Sequence, residues 1–390
     1  MADPPLIAAV AIFIATYAVV AVGKVPVYRI DRAGAALLGG SLMVGIGVLT
    51  PEEAYRAIDF DTITLLLGMM IVVANLRVSG FFRLVTDWIA THVRRPFTLL
   101  VAIVLASGTL SAFLVNDTIC LVMTPLVLEL VTAAKRDPIP YLLAVATASN
   151  IGSAATITGN PQNIIIASLS QISLAPVAAI GLALAHRGEF FTSERLEKTA
   201  MPTHHHGPLV AKTVIVMMVM IVLFFLGQPA AKVAIVGGAF LLFTRRVRPQ
   251  KIYIEIDWPL LPMFIGLFVV VAGLEKTVLT PEITAAAGHL RLDNSVVLAG
   301  ITAVLSNIVS NVPAVLLLKA FVPGLDDPQR AWLVIAMAAT FAGNFTLVGV
   351  ANLIVAQRAK ARGVEIGFWA YFRIGASLSL LTILVGLLLL

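Results

Sequence analysis

The sequence predicts an all-α polytopic membrane protein made of two inverted repeats, each with one re-entrant hairpin and one broken helix. Composition indicates the membrane, because 59% of the 390 residues are hydrophobic and only 12% are charged, more apolar than a soluble domain needs. Duplication indicates the repeats: Ile58-Asp59-Phe60 returns as Ile256-Asp257-Trp258, 198 positions later. Polar segments interrupted by Gly and Pro lie inside apolar sequence in both halves, which predicts the breaks.

The duplication also predicts the domain organisation. We expect a first inverted repeat, a cytoplasmic linker, a second inverted repeat and a C-terminal transmembrane helix. The expected boundaries are 1–190 for the first repeat, with its hairpin at 96–134 and its broken helix at 141–170; 191–212 for the linker; 213–365 for the second repeat, with its hairpin at 293–322 and its broken helix at 331–358; and 366–390 for the last helix.

Lysine and arginine residues predict the threading of the chain. They cluster in short loops, which places those loops in the cytoplasm and the amino terminus outside a plasma (inner) membrane that the chain crosses many times. The stretch 96–134 has basic residues at both ends, so it must enter from the cytoplasm and return to it. The stretch 293–322 should dip in from the opposite side, so the repeats are inverted. Irregular backbone at membrane depth is tolerated only when it is buried in protein or lines a wet cavity.

Two helices should break midway, where Gly, Pro and Asn residues concentrate. The first break falls between Ser149 and Asn163, and the second between Gly343 and Asn352. Gly and Pro interrupt the helical hydrogen bonding and leave N–H and C=O groups free for a ligand. A membrane chain of two related halves with such breaks is typical of a secondary transporter that binds its solute between the halves.

Several function classes lack support in the sequence. The single cysteine, Cys120, excludes an intrachain disulfide and a Cys-rich metal site. There is no Walker motif, zinc spacing or nucleophile elbow, so we expect neither an enzyme, nor a catalytic residue, a metal centre or a cofactor, nor ATP-driven transport by this chain alone. The adjacent histidines at 204–206 indicate a solvated run. The pI is about 9.6, but the basic residues lie mostly in short loops, so nucleic acid is not an expected partner.

Asp117 is the residue with the clearest chemical role. It lies deep in the apolar sequence of the first hairpin, where a carboxylate is costly and marks an ion or proton path. Burial favours the neutral form of a carboxyl group, so Asp117 is suited to load and release a proton or to hold a cation. The matching position of the second repeat is Val312, so the site has a single titratable group. The alternative is that Asp117 only caps the returning half-helix.

Amides and hydroxyls accompany this acid at the predicted breaks and hairpin tips. Such neutral donors and acceptors suit a neutral or weakly charged polar solute or a dehydrated cation, and no arginine or lysine stands among them. A strongly anionic solute would therefore depend on the N-termini of half-helices alone. The alternative is that these groups only satisfy the broken backbone. The predicted substrate- and ion-binding residues are Asn116, Asp117, Thr118, Asn150, Asn160, Asn163, Asn311, Asn344, Thr346 and Asn352, with Asp117 as the proton-coupling group.

The motifs that contain these residues resemble those of a known superfamily of membrane carriers. They are Val115-Asn116-Asp117-Thr118, Ser149–Thr156 with Gly159–Asn163, Ser310–Pro313, and Gly343–Leu347 with Asn352. Over nearly its whole length the chain resembles the ion-transporter superfamily. It is most similar to the branch that holds the arsenical pump membrane proteins (ArsB), the NhaD sodium–proton antiporters and the melanosomal P protein. Divalent-anion and citrate permeases are more distant relatives.

The resemblance implies an elevator-type carrier that forms a homodimer, with the hairpins and broken helices moving as a transport domain against a scaffold. Citrate and dicarboxylate carriers have Ser-Asn-Thr-type motifs at their hairpin tips, whereas Asn116-Asp117 is similar to the arsenical and sodium–proton branch. That similarity implies proton-coupled efflux of a neutral hydroxide such as arsenite or antimonite. A sodium–proton antiporter and an anion permease of the dicarboxylate or citrate type remain the alternatives.

The same resemblance implies the partners. They are a small inorganic solute, a coupling ion (H⁺ or Na⁺), the lipid bilayer and a second copy of the chain. A cytoplasmic ATPase subunit is an optional further partner. Two departures from the family pattern stand out. The segment Ser173–Arg187 is short for a span, and Val350 stands where the family more often has a small polar residue.

Overall fold

The computed structural model describes residues 4–22, 24–25, 30–93, 95–170, 207–245, 247–278, 291–346 and 349–390. The expected short span Ser173–Arg187, the adjacent histidines at 204–206 and most of the expected linker lie outside the described residues.

The first half of the chain folds into helices that polar caps and Pro residues delimit. Asp31 accepts a hydrogen bond from the Gly34 amide at the start of α2, and Asp59 accepts one from the Thr62 amide at the start of α4, as N-cap residues do. A minimal pairing joins β1 (Lys24–Val25) to β2 (Ile30–Asp31). The helices are α1 (Pro4–Val22), α2 (Arg32–Gly45), α3 (Pro51–Ala57), α4 (Phe60–Ser79), α5 (Phe81–His92), α6 (Pro96–Phe113), α7 (Asn116–Ala133), α8 (Pro138–Ser153) and α9 (Pro161–Ser170).

The second half repeats this order after the expected linker. The first of its helices begins earlier than expected, because Gly207–Lys212 already belong to it rather than to the linker. The helices are α10 (Gly207–Phe225), α11 (Ala230–Leu242), α12 (Pro249–Tyr253), α13 (Leu260–Val278), α14 (Ser295–Val309), α15 (Asn311–Lys319), α16 (Pro328–Ala342), α17 (Val350–Lys360) and α18 (Phe368–Leu389).

The helices have the length and composition of a membrane domain. Among the described residues, six helices are long and apolar enough to cross a membrane, namely α4, α6, α7, α10, α13 and α18. Helices α1, α11 and α14 are shorter and apolar. A hydrocarbon core about 30 Å thick needs roughly 20 residues of helix, which these helices approach. The prediction of an all-α polytopic membrane protein is confirmed.

The two halves pack on each other through reciprocal contacts. Helix α4 of the first half packs on α11, and α13 of the second half packs on α2. A Cβ added at Gly68 would overlap the backbone of Ala234, and one added at Gly266 would overlap the backbone of Ala36. Gly68 and Gly266 are 198 positions apart, as are Ala36 and Ala234. Contacts exchanged in this way are those of a two-fold axis, and small residues allow the close approach.

The directions of these helices show that the repeats are inverted. Along α2 and α13, Ala36 lies beside Gly266 and Met43 beside Gly273, so these two helices run in the same direction. The loop charges put the starts of α2 and α4 on opposite faces of the membrane. With that threading α13, the repeat counterpart of α4, crosses the membrane in the opposite sense to α4.

Each repeat contains one helix hairpin and one broken helix. Hairpin one is α6 and α7, which turn between Phe113 and Asn116, and hairpin two is α14 and α15, which turn at Ser310 with φ of +81°. Broken helix one is α8 and α9, joined through a 3₁₀ turn at Ile157–Gly159. Broken helix two is α16 and α17, which break after Ala342.

The helices form two bundles. The scaffold bundle consists of α1–α4 and α10–α13, and the hairpin bundle of α6–α9 and α14–α17; within each bundle helices of both repeats pack together. The bundles meet where α4 contacts α9, α1 contacts α14 and α13 contacts α15. Hairpin two therefore lies against the scaffold through both of its helices.

Candidate functional site

A buried chain of asparagines joins the two repeats at the centre of the hairpin bundle. Asn116 Nδ2 donates to Asn150 Oδ1 over 2.9 Å. Asn150 Nδ2 in turn donates to Asn344 Oδ1 over 2.8 Å and to Asn352 Oδ1 over 3.2 Å. Asn150 thus ties hairpin one and broken helix one to both halves of broken helix two. A buried amide with all these partners fixes the relative positions of the segments it connects.

Each broken helix is held by an asparagine at the start of its second half. In the first repeat, Asn163 Nδ2 donates to the carbonyl oxygens of Ser153 and Thr156, both over 3.0 Å. In the second, Asn352 Nδ2 donates to the carbonyl oxygens of Gly343 and Thr346, over 2.6 and 2.8 Å. The carbonyls of Ser153 and Gly343 lie at the C-terminal end of the preceding half-helix, where carbonyl groups lack internal partners, and those of Thr156 and Thr346 lie in the breaks themselves.

Asn160 and Gln162 extend the first of these breaks toward the other repeat. Asn160 Nδ2 donates to Ser153 Oγ and to Thr340 Oγ1, over 3.0 and 3.2 Å. Gln162 Nε2 donates to the same Thr340 hydroxyl over 3.3 Å. Asn160 Oδ1 accepts from the backbone amide of Asn163 over 2.8 Å and so caps α9. The break of one repeat is therefore fastened to α16 of the other.

A cavity of about 360 Å³ opens beside this network, between the two bundles. Its volume corresponds to roughly a dozen water molecules at about 30 Å³ each, so it fits a small solute. Both bundles contribute to the walls of the cavity. The residues from the hairpin bundle include Asn116, Asp117, Asn150, Pro161, Gln162, Ser306, Asn307, Ser310, Asn311 and Val312. The residues from the scaffold side include Val20, Asp31, Arg32, Ala33, Asp257, Pro259, Leu260, Met263 and Phe264.

Asp117 faces this cavity from the first turn of α7 and is half-buried. A helix N-terminus stabilises a carboxylate through the backbone dipoles. Arg32 shares the cavity wall with Asp117 and carries the opposite charge, whereas Asp31 and Asp257 on the same wall carry the same charge as the Asp117 carboxylate. The equivalent turn of α15 presents Val312 to the cavity, so the two halves of the site differ in charge.

Three charged residues of the site escaped the sequence prediction. Asp31, Arg32 and Asp257 all line the cavity from the scaffold side. Arg32 corrects the expectation that no arginine or lysine stands at the site, because it is the first residue of α2, whose start Asp31 caps. Asp257 belongs to the repeated Ile-Asp motif, which was the available signal. Among the described residues, no three acidic, His or Cys side chains come close enough together to hold a metal ion.

The predicted site residues fall into three layers. Asn116, Asp117, Asn150 and Asn311 lie on the cavity wall. Asn344 and Asn352 lie behind the wall, bonded to Asn150. The other predicted residues do not line the cavity. Asn160 and Asn163 hold the first break, and Thr118 is half-buried. Thr346 Oγ1 is 3.5 Å from Asn307 Oδ1.

Hairpin two has its own polar contacts at the tip. Ser306 Oγ donates to Asn311 Oδ1 over 2.6 Å, and Asn307 Nδ2 donates to the Ala342 carbonyl over 3.1 Å. Both Ser306 and Asn307 line the cavity. The tip of hairpin two is thereby attached to the end of α16, as the tip of hairpin one is attached to Asn150.

Known proteins of similar sequence and structure are membrane transporters. The citrate transporter family model (CitMHS) matches residues 11–342. An uncharacterized transporter of Mycobacterium tuberculosis is 30% identical, with 97% of each chain covered. The silicon efflux transporter LSI3 of Oryza sativa subsp. japonica is 28% identical, with 93% of each chain covered. The putative transporter arsB of Dictyostelium discoideum is 25% identical over 92% of this chain and 86% of its own.

The fold also matches a solved structure. The crystal structure of the Alcanivorax borkumensis YdaH transporter has a TM-score of 0.56 and 16% sequence identity to this chain, and covers 99% of this chain and 97% of its own. At this identity the likeness concerns the fold. The matched family model, which spans most of the chain, and the full-length relatives show that the chain belongs to the citrate transporter (CitMHS) family of the ArsB/NhaD-related ion-transporter superfamily and is a secondary transporter.

Proposed function

We propose that the chain exports arsenite or antimonite across the plasma membrane in exchange for protons, as a homodimer that moves by an elevator mechanism. The observation that carries the proposal is the charge of the cavity. Three carboxylates (Asp31, Asp117 and Asp257) and one guanidinium (Arg32) line it, among neutral amides and hydroxyls.

This charge balance selects against polyanions. A cavity lined by one sign of charge concentrates ions of the opposite sign and disfavours ions of the same sign. A citrate or dicarboxylate ion would enter an acid-rich space with only Arg32 to neutralise it. Arsenite at neutral pH is an uncharged trihydroxide, and its hydroxyl groups match the amide and hydroxyl groups of Asn116, Asn150, Ser306 and Asn311 as donors and acceptors.

The names of two relatives support the class of solute. One is called a silicon efflux transporter and another a putative arsB transporter. Silicic acid and arsenous acid are both small neutral hydroxides, so a site that binds through hydroxyl contacts serves either. We expect the solute of this chain to belong to that class, with arsenite and antimonite first among the candidates.

Alternation between the membrane faces follows from the arrangement of the bundles. The scaffold is locked by the reciprocal close contacts of α2 with α13 and of α4 with α11, while the asparagine network holds the hairpin bundle together. The cavity lies where α2 and α13 begin, which is the cytoplasmic side if the basic loops are inside. Movement of the hairpin bundle along the scaffold would carry Asp117 and the solute site to the other face.

A second candidate function, sodium–proton antiport, is favoured by the same acidic wall. Asp117 with the amide oxygens near it offers oxygen ligands to a small cation, and an intramembrane carboxylate is typical of ion pathways. The experiment below distinguishes the two candidates.

The test is transport by the purified protein in proteoliposomes with an imposed pH gradient and no ATP. We expect arsenite flux that a protonophore abolishes and that Asp117→Asn reduces at least tenfold. Asp137→Asn is the matched control, because Asp137 caps α8 at an exposed position away from the cavity. Proton movement driven by Na⁺ in the absence of arsenite would favour the antiporter. Flux of labelled citrate, or arsenite flux indifferent to the protonophore, would contradict the proposal.

A further inference from the structure

We propose that Arg32 is a positioning residue that makes proton release from Asp117 one-sided, because it faces Asp117 across the cavity in this state and has no counterpart in the state open to the opposite face. The inference deepens the proposed function and rests on it. Arg32 does not receive the proton; its fixed charge favours the carboxylate that remains when Asp117 gives a proton to water.

The first step in the argument is the sequence asymmetry of the repeats. Arg32 is the first residue of α2, and its counterpart at the first residue of α11 is Ala230, 198 positions later. The register is secure, because Gly39-Gly40 and Gly237-Gly238 match at the same spacing. Lys232 lies two residues beyond Ala230 and is exposed, and residues two apart on a helix do not share a face.

The second step is the conformational asymmetry of the repeats. Hairpin two contacts α1 and α13 of the scaffold, whereas on the side of hairpin one the cavity separates Asp117 from Arg32 and Asp257. Alternating access in inverted repeats moves one bundle against the other around a fixed site, so the two repeats exchange their environments. In the exchanged state the scaffold wall is built from the starts of α11 and α4. Ala230 then replaces Arg32, Pro229 replaces Asp31 and Asp59 replaces Asp257, so one of the two scaffold acids is retained and the arginine is lost.

The third step is the charge environment of Asp117. Helix α7 packs against α5, α6, α8 and α17. Helices α6 and α8 contain no Asp, Glu, Lys or Arg; α5 contributes Arg83 and Asp87, and α17 has its basic residues in its last turn. Glu129 lies three turns along α7 itself. The charged groups that line the cavity together with Asp117 are Asp31, Arg32 and Asp257. Arg32 is half-buried, which weakens screening by solvent.

The chemical consequence is directional. With the cavity open at the Arg32 end, the Asp117 carboxylic acid transfers its proton to water, giving a carboxylate and hydronium, and Arg32 stabilises the carboxylate. With the site open at the other end, the carboxylate has no such partner and accepts a proton more readily. Proton entry from one face and release at the other is the cycle that drives solute in the opposite direction.

The test uses everted membrane vesicles, in which the cytoplasmic face is outside, with internal and external pH set independently. Arg32→Ala should move the half-maximal external pH for arsenite accumulation upward by about one unit, at the lower end of the effect of an opposite charge on a carboxyl group. The half-maximal internal pH should not move. Arg32→Lys should restore most of the wild-type profile, because it keeps the charge.

A converse variant tests the same idea from the other side. Ala230→Arg, with Arg32 intact, should lower the internal pH needed for half-maximal accumulation by about one unit, because it supplies the missing charge. Arg248→Ala is the matched control; Arg248 is an exposed arginine next to α12 that does not line the cavity, and neither profile should move. Because Ala230→Arg leaves Arg32 in place, it tests the proposal even when Arg32→Ala does not fold.

The outcomes separate this inference from the proposed function. If the wild-type protein shows no protonophore-sensitive arsenite flux, the proposed function fails. If the wild-type flux is proton-coupled but the external pH profile of Arg32→Ala equals that of the wild type, the role of Arg32 is wrong and the function stands. Equal shifts on both faces would also contradict the one-sided role.

Discussion

Replacing Asn150 with alanine should weaken the attachment of hairpin one to broken helix two and lower the stability of the protein. The change removes three hydrogen bonds at once, one accepted from Asn116 and two donated to Asn344 and Asn352. These bonds link hairpin one to both halves of broken helix two. The substitution would leave Asn116 Nδ2, Asn344 Oδ1 and Asn352 Oδ1 without these partners in the interior, and would remove the only asparagine among the described residues that bridges all three segments.

The magnitude follows from the number of bonds. Interhelical hydrogen bonds in membranes contribute about 0.6 kcal/mol each on average, and buried hydrogen bonds in water-soluble proteins about 1 kcal/mol. Three bonds therefore give about 2–3 kcal/mol, before the cost of the orphaned groups, which is about 1–3 kcal/mol for each buried group left unpaired. We expect the free energy of unfolding to fall by at least about 3 kcal/mol. Transport by the protein that still folds should fall as well, because the hairpin tip loses its anchor.

The assay is thermal unfolding of the detergent-solubilised protein, followed by arsenite transport at equal amounts of folded protein. Asn75→Ala is the matched control: Asn75 is fully buried in the scaffold, but its amide donates only to the Ile71 carbonyl of its own helix, over 2.9 Å. If Asn150→Ala and Asn75→Ala lowered stability equally and left transport alike, the reasoning that Asn150 holds the two repeats together would be refuted.

Two further predictions concern the contacts between the repeats. Gly68→Ala and Gly266→Ala should reduce the yield of folded protein to a similar degree, measured by size-exclusion chromatography, because each adds a methyl group into the backbone of the facing helix; Gly300→Ala, which meets nothing within 4 Å, should not. Lys276 lowers the pKa of Glu53 by donating a hydrogen bond to its carboxylate, so this link is present above the unfolded-state pKa and is lost as pH falls through the lowered one. Between pH 6 and pH 3, the stability measured by unfolding should therefore fall slightly more steeply for the wild type than for Glu53→Gln. Identical slopes of stability against pH would show that the link between Lys276 and Glu53 adds no stability.

Much of the fold was predictable from sequence, because inside a membrane the backbone N–H and C=O groups must find their hydrogen-bond partners within the protein. Breaks in helices need Gly, Pro and polar side chains, and these stand out in apolar sequence, as at Ser153–Asn163 and Gly343–Asn352. The turns of both hairpins could be placed for the same reason. Gly68 and Gly266 occupy matching positions in the two repeats, and each lies against a helix of the other repeat. Those partner helices could be identified only from the structure.

The scaffold side of the site was missed for a physical reason. Arg32 was counted with the loop charges that set the threading, and a charge at the end of a helix has the same local pattern whether it faces bulk water or a cavity. Which one it faces depends on the packing of α2 against α13 and on the position of the hairpin bundle. Asp257 was visible as part of a repeated motif, but the motif was used only to identify the repeats, and its twin Asp59 caps α4 in the structure.

The most direct test of the account is whether solute and proton compete for the cavity at Asp117. Arsenite is added to detergent-solubilised protein in a weak buffer near neutral pH. A pH-indicator dye in the same solution reports the protons that are displaced when arsenite binds. We predict that the wild-type protein releases protons with a saturable dependence on arsenite and that Asp117→Asn binds arsenite without releasing any. Equal proton release by both proteins would contradict the account.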